Sequence, residues 1–406
     1  MKRKLYIWLQ IIIAATLLGL VIGNMVENLP KKEKKAKYIF LFIGDGMGHS
    51  HVSVAESYLS YKAGTLGGES LLFSDFPAYG AATTFSANRQ VTCSSAAGTA
   101  IACGEKANNG TVGINKDSVE IESIANFLQK EGYRIGIMST VPVNHATPAS
   151  FYAHNVSRGD YYDISQQIPL SGFDFFAGAG FLDHKGKGGD KEATDVCMER
   201  NGYTVSYGVE EFRKESQDAE KIIFCQAGNR GGDADNYVSD ATESEDADLA
   251  QMLTLGLDFL SDRDPFFVMC EEGEIDWAAH DNRTMSMVEN ILELEEAVKV
   301  AYEFYLKHPD ETLIVVTADH ETGGITLGCG SKTIKWKELE KQWIESGKKN
   351  VLDEQENAKL NKKCSIGWTT HSHTGGAVPV FAIGVGAERF NGRIDNTDIK
   401  NKILGE

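Results

Sequence analysis

The chain has 406 residues, with 58 Asp and Glu against 40 Lys and Arg, and a formal charge of −18. That length buries one large core or two ordinary ones. The acidity argues against nucleic acid or an anionic membrane surface as a main partner, and it suits an anionic substrate only where local cations reverse the field.

Lys2, Arg3 and Lys4 precede Leu5–Val26, an almost unbroken apolar run. About 20 such residues span a bilayer, so residues 1–26 read as a signal peptide ending near Gly23 or as an uncleaved signal anchor. Residues 27–37, ending in KKEKKAK, read as a solvated linker, and 38–406 as one globular body outside the cytoplasm. Seven cysteines, odd in number and without a C-x-x-C, do not make a disulfide framework. Cys329 and Cys364 flank one insertion and are the pair to test as a bridge.

The strongest local signal is Ile39–Gly48, IFLFIGDGMG. A continuous apolar run closed by glycines predicts a strand buried on both faces of a parallel sheet. Asp45 then stands at the strand's C-terminal end, where open α/β sheets place their ligands. A carboxylate there either caps a following helix or meets metal ions that offset its burial. His49 and His51 fall in the loop or first turn that follows. Thr92–Gly104, TCSSAAGTAIACG, predicts a helix of small residues opening on hydroxyls, which serve as plain caps or as part of an anion site at the helix N-terminus.

Ser118–Lys130 carries a helical apolar face, and Arg134–Thr140 a strand that delivers His145 and Thr147. Ser150–Asp160 carries His154 and Arg158. The glycine-rich stretch from Gly172 to Asp246 offers only Ile222–Cys225 as a strand. A helix over Leu249–Leu260 leads to the strand PFFVMC and then to Glu271, Glu272, Asp276, Trp277 and His280. A further helix reaches Tyr305, and Thr312–Thr317 is a strand ending in Asp319-His320. Residues 328–368 turn rich in Lys and Glu and read as a cap insertion with a short helix near Lys337–Glu345. His371 and His373 precede the last strand, Val378–Ile383.

Helices alternate with strands throughout, which predicts an α/β fold with a doubly wound, mostly parallel central sheet and helices on both faces. Four strand ends then gather Asp45, His145, Thr147, Glu271, Asp276, His280, Asp319 and His320 at one sheet edge. Histidine with carboxylate suits zinc, and carboxylate with hydroxyl suits magnesium. Asp276 and His280, four apart, share one helical face.

With these blocks in view (IGDGMG, TCSSAAGTA, HATPASFYAHNVSR, EEGEIDWAAH, VTADH and HTGG, in that order) the chain resembles the alkaline phosphatase family over nearly all of Lys37–Leu404. The resemblance implies an alkaline phosphatase-like catalytic domain over 38–406, a dimer, two zinc ions and a nearby magnesium. It implies Ser94 as a nucleophile that forms a phosphoseryl intermediate. Asp276, His280 and His373 would surround the first zinc, and Asp45, Asp319 and His320 the second. Asp45, Thr147 and Glu271 would surround the third metal, and Arg158 would clamp the phosphate. Serine is a weak nucleophile at its free pKa and needs a base or metal, and two zinc ions about 4 Å apart suit an in-line displacement. Three divalent cations with Arg158 outweigh the carboxylates of Asp45, Glu271, Asp276 and Asp319, which reconciles an acidic protein with an anionic substrate.

Three departures stand out. Cys93 occupies the place of an aspartate that orients the arginine in many members. His145 replaces an aspartate near magnesium, and Trp277 a lysine or histidine; imidazole at the third site favours zinc over magnesium. The expected activity is hydrolysis of small phosphate monoesters at alkaline pH. The alternatives are a phosphodiesterase or sulfatase of the same superfamily, although no C/S-x-P-x-R motif is present, or a non-catalytic phosphate- or metal-binding protein.

Overall fold

The computed structural model describes residue 16 and residues 35–230, 232, 245–261, 265–349 and 351–406. Thr16 apart, the apolar run Leu5–Val26 and the linker before residue 35 lie outside the described residues. Among the described residues, no helix is long and apolar enough to cross a membrane.

The strands are β1 (Tyr38–Gly44), β2 (Ala78–Thr83), β3 (Arg134–Ser139), β4 (Phe175–Gly178), β5 (Thr204–Tyr207), β6 (Ile222–Cys225), β7 (Phe266–Glu272), β8 (Thr312–Thr317), β9 (Glu321–Thr322), β10 (Thr326–Leu327), β11 (Ile366–Gly367), β12 (His373–Thr374), β13 (Val378–Gly384) and β14 (Gly392–Asp395). Ten of them form one sheet in the order β14-β2-β13-β8-β1-β7-β3-β4-β6-β5. Every neighbouring pair is parallel except β13, which runs antiparallel to both β2 and β8. All residues of β1 are buried, as a strand covered on both faces requires. The helices Leu249–Leu260 and Thr284–Lys307 pack on each other and on the central strands. The expected fold class is the observed one.

Sheet order and pairing position the site. β8, β1, β7 and β3 are consecutive neighbours, and Ile43 stands level with both Glu271 and Thr317, as Ser139 does with Glu271. Their C-terminal ends therefore finish in one row. The loops leaving that row carry the polar blocks of the sequence.

Local differences from the expected elements have physical causes. The helix expected over Ser118–Lys130 is confined to Ile124–Lys130, because Ser123 caps it by accepting from Asn126 N at 3.1 Å. In the polar middle of the chain, β4 and β5 join β6, where only β6 was legible. The insertion contains two helices, Trp336–Glu345 and Glu354–Cys364, rather than one. The second is polar almost throughout, so it lacks an apolar stripe, and its start is set by Asp353 accepting from Glu356 N. Cys329 and Cys364 are both free thiols, the first exposed and the second buried, so the pair singled out for testing is not bridged. The insertion is instead fastened to the body by hydrogen bonds. Tyr58 and Tyr61 both donate to Glu340 at 3.0 Å, Trp336 Nε1 donates to Ser57, and Asn357 and Asn361 donate to the Asn282 carbonyl.

Candidate active site

Asp45 leaves β1 fully buried, and its backbone N–H donates to the Glu272 carbonyl at 3.0 Å. Gly46 follows at φ +76°, a conformation that glycine adopts without strain. Beside it, β8 delivers Asp319 and His320, both fully buried. His320 Nε2 lies 3.3 Å from Asp45 Oδ1, 3.2 Å from Asp319 Oδ2 and 3.2 Å from Ser94 Oγ. Asp319 Oδ1 accepts from Gly46 N and His320 N, which turns Oδ2 toward Asp45. Among the described residues, neither oxygen of Asp45 nor Asp319 Oδ2 has a hydrogen-bond partner.

Ser94 is the first residue of the helix Ser94–Cys103, whose residues are all buried. The run of small side chains is explained by close packing. A Cβ on Gly98 would come within 2.9 Å of Ser150 Oγ, just past the short helix Ala146–Ala149. The helix N-terminus adds unpaired N–H groups and positive dipole charge at Ser94.

A second group of ligating atoms lies alongside. The helix Glu274–His280 puts Asp276 and His280 on one face, with His280 Nε2 3.4 Å from Asp276 Oδ2. β12, paired with β9, brings His373 Nε2 to 3.6 Å from Asp276 Oδ1 and 3.2 Å from His280 Nε2. His280 Nδ1 meets the His371 carbonyl at 2.7 Å, and His373 Nδ1 the Thr92 carbonyl at 2.9 Å. A carbonyl only accepts, so both Nδ1 atoms carry hydrogen. The two Nε2 atoms then face each other with lone pairs, an arrangement that needs a proton or a cation between them. Asp276–His280–His373 and Asp45–Asp319–His320 are each compact enough to hold a metal ion.

Electrostatics sets the two groups apart. Burial, reinforced by Asp319, Asp276 and Glu271, pushes the Asp45 carboxyl well up. Asp319 is pushed up to about 7 by burial and by Asp276. Burial holds His320 well below its ordinary value. Against its own burial, Asp276 is held below the carboxylate range by His280, His320 and His373. His280 is raised to about 9, chiefly by its hydrogen bond to Asp276.

A third set flanks Asp45. Glu271 accepts from the Ser139 hydroxyl, which leaves Oε1 without a partner, and the buried Thr147 Oγ1 has none either. Burial pushes Glu271 up to about 8. His145 Nε2 lies 3.2 Å from Arg158 Nη2, its Nδ1 is unpartnered, and burial with Arg158 pushes its pKa down to about 3. The imidazole is therefore neutral and accepts from the guanidinium. The Trp277 ring stands edge-on to it at 5.9 Å. Cys93 precedes Ser94; its sulfur accepts from Gly110 N at 3.2 Å and meets Ser95 Oγ at 3.2 Å.

The site residues named from sequence thus meet at one rim. His371 is half-exposed and contacts the first group only through its backbone and its own Nδ1. His51 is fully buried and accepts from Gly48 N, outside both ligand groups but within electrostatic reach of Asp276, and His49 Nδ1 bonds the Ala377 carbonyl. Sequence reasoning missed the hydroxyls of Ser139 and Thr322, which hold the second atoms of Glu271 and Asp276. Neither belongs to a spacing pattern that marks chemistry.

Comparison with known proteins identifies the family. The family model described as alkaline phosphatase matches residues 36–175 and 231–405. Alkaline phosphatase 4 of Bacillus subtilis (strain 168) is 29% identical over 97% of this chain and 94% of its own length. Alkaline phosphatase 3 of the same organism is 30% identical over 95% and 93%. The alkaline phosphatase structure from the Antarctic bacterium TAB5 superposes with a TM-score of 0.74 and 31% identity, covering 92% of this chain and 98% of that one. A histidine-to-aspartate mutant of the TAB5 enzyme, described with Mg bound in the M3 site, superposes at 0.75. The chain belongs to the alkaline phosphatase family, enzymes that hydrolyse phosphate monoesters.

Proposed function

We propose that this chain hydrolyses phosphate monoesters through a phosphoserine at Ser94, beside two zinc sites and a third metal site. The observation that carries the reading is Ser94 Oγ, 3.2 Å from His320 Nε2 at a helix N-terminus, beside carboxylate oxygens that are buried without partners. Asp276, His280 and His373 would hold the first zinc, and Asp45, Asp319 and His320 the second. Bound there, zinc would polarise the phosphoryl group and lower the pKa of the serine hydroxyl.

The chain's own groups do the rest. Ser94 Oγ bonds to phosphorus as the ester P–O bond breaks and the alcohol leaves. Water then attacks phosphorus, the Ser94–phosphate bond breaks, and phosphate leaves with the hydroxyl restored. Arg158, held by neutral His145, offers paired N–H donors to two phosphoryl oxygens. The Ser94 helix N-terminus adds positive charge to the same oxygens.

The third site joins Asp45, Thr147 and Glu271. Their oxygens alone suit magnesium; the unpartnered Nδ1 of His145 would add a nitrogen that suits zinc. In the TAB5 relative, magnesium in the M3 site is described for a protein whose histidine had been changed to aspartate. Magnesium is therefore the expected third metal for a His145→Asp variant, with zinc competing for the native site.

The basic-then-apolar run at residues 2–26 supports action outside the cytoplasm, anchored or released. A relative from Bombyx mori is described as membrane-bound. Small phosphorylated substrates and a homodimer complete the reading. The decisive test is hydrolysis of p-nitrophenyl phosphate after chelation, with zinc and magnesium returned separately, and acid trapping of phosphoserine. Activity restored by zinc, with label on Ser94, supports the mechanism; restoration by neither metal overturns it.

A further inference from the structure

Thr322 stands between the two groups of ligands, fully buried. Its hydroxyl donates to Asp276 Oδ1 at 2.5 Å, and His320 Nδ1 lies 3.3 Å from Thr322 Oγ1. The hydroxyl has one hydrogen, and an ionised carboxylate only accepts. With that hydrogen committed to Asp276, Oγ1 has only lone pairs left for the imidazole. His320 must then carry its own hydrogen on Nδ1, which leaves the Nε2 lone pair aimed at Asp45 Oδ1, Asp319 Oδ2 and Ser94 Oγ. One side chain thereby settles the tautomer of a ligand in the second cluster and the orientation of a ligand in the first.

The backbone holds this hydroxyl in place. Thr322 N donates to the Gly46 carbonyl at 3.1 Å, and Gly46 N donates to Asp319 Oδ1 at 3.2 Å. A Cβ at position 46 would come to 3.0 Å from both Asp276 Cα and Thr322 Oγ1. The glycine after Asp45 thus leaves room for threonine to reach across. The neighbouring pair works alongside, because Glu321 accepts from the Thr374 hydroxyl next to His373. β9 and β12 therefore form a two-stranded bracket behind both clusters.

We propose that Thr322 is a positioning residue that couples the two clusters, so that losing its hydroxyl weakens zinc at both sites together. The inference rests on reading the clusters as zinc sites. Partners that orient metal-ligating histidines and carboxylates are typically worth about 10–100-fold in metal affinity.

The test is zinc titration of the metal-free full chain against a competing chromogenic chelator, for wild type, Thr322→Val and Thr322→Ser. Repeating it in His373→Ala and Asp319→Ala backgrounds, each with one cluster disabled, separates the two affinities. Thr322→Val is expected to weaken zinc by about 10–100-fold at each cluster, with Thr322→Ser within a few-fold of wild type. Unchanged zinc binding in Thr322→Val, or weakening at one cluster alone, overturns the coupling. If the valine variant fails to fold, Thr322→Ala removes the same hydroxyl without the added methyl and is read by the same criteria. A wild-type chain that takes up no zinc would overturn the cluster reading itself, and the inference with it. A wild type that binds while Thr322→Val matches it overturns the role of Thr322 alone.

Discussion

The two ligand groups sit side by side yet are built on opposite principles. Asp276–His280–His373 combines one carboxylate with two imidazoles, and the His280 side chain is 36% exposed. Asp45–Asp319–His320 combines two carboxylates with one imidazole, with no exposure at all. In the first, Asp276 and His280 form an ion pair, so a proton can do part of a cation's work. In the second, burial pushes both carboxyls up, helped by Asp319 and Asp276 at Asp45 and by Asp276 at Asp319, while burial keeps His320 neutral. Dry, unpaired carboxylates are costly and hold protons instead, so at alkaline pH, where they ionise, the second cluster depends on a cation for its charge balance more than the first does. Ser94, the proposed nucleophile, stands against the dependent one.

The largest expected effect comes from removing that nucleophile. Ser94→Ala should lower kcat/KM for p-nitrophenyl phosphate by about 10³-fold or more, with zinc still bound at both clusters by direct metal analysis. Turnover within tenfold of wild type would move the nucleophile elsewhere. Next, Asp319→Asn should empty the buried cluster while sparing the exposed one, halving the zinc held at these two sites. Loss of both metals together would erase the contrast between the clusters.

Chelation of the wild type should proceed in two phases, the half-exposed His280 cluster emptying first and the buried one at least about tenfold more slowly. A single phase would argue against different access.

The metal-free protein should reveal the contrast through pH. Asp319 and Glu271 are raised to about 7 and about 8 in the folded state, above their unfolded values of about 4. The unfolded chain therefore releases those protons first, and their stabilisation, full in acid, is lost as pH rises through about 8. His280, raised to about 9, adds a contribution that is full below about pH 6.5 and lost through about pH 9. Asp276, held low, contributes above about pH 4 and is lost only on further acidification. Buried His145 and His320, held low, pull the other way up to about pH 6.5. Urea midpoints without zinc should therefore fall chiefly from about pH 6.5 to about pH 9, and zinc should flatten that slope. The smallest effect belongs to His371→Ala. Its side chain donates only to the His280 carbonyl and pairs with exposed Glu354 at 3.4 Å, so zinc in the exposed cluster should weaken a few-fold and the buried cluster not at all.

Much of this rim was legible because its residues lie in short contiguous blocks after buried strands. IFLFIGDG and TLIVVTADH each announce a strand, its end and its acid in one run. The topology that makes the blocks meet was legible only as alternation, since nothing local pairs Ile43 with both Glu271 and Thr317. The helix Glu354–Cys364 escaped notice because a polar surface helix held by a cap has no apolar period to read. β4 and β5 escaped because each is four residues long within polar sequence. Thr322 escaped for a different reason. A hydroxyl matters here only through two atoms brought to it by Asp276 and His320, and that meeting has no trace in spacing.

The pairing of β1 has a consequence for how the enzyme comes into being. Its strand emerges among the earliest segments of the body, yet its partners on either side are residues 266–272 and 312–317. Until those segments have been synthesised, one of the most apolar stretches of the chain has no neighbours to cover it, and such long-range pairing is slow. A nascent chain halted before His320 would carry Ser94 and Asp45 but no complete buried cluster. Activity should therefore switch on late in synthesis and all at once, leaving growing chains dependent on something that shields β1 in the meantime.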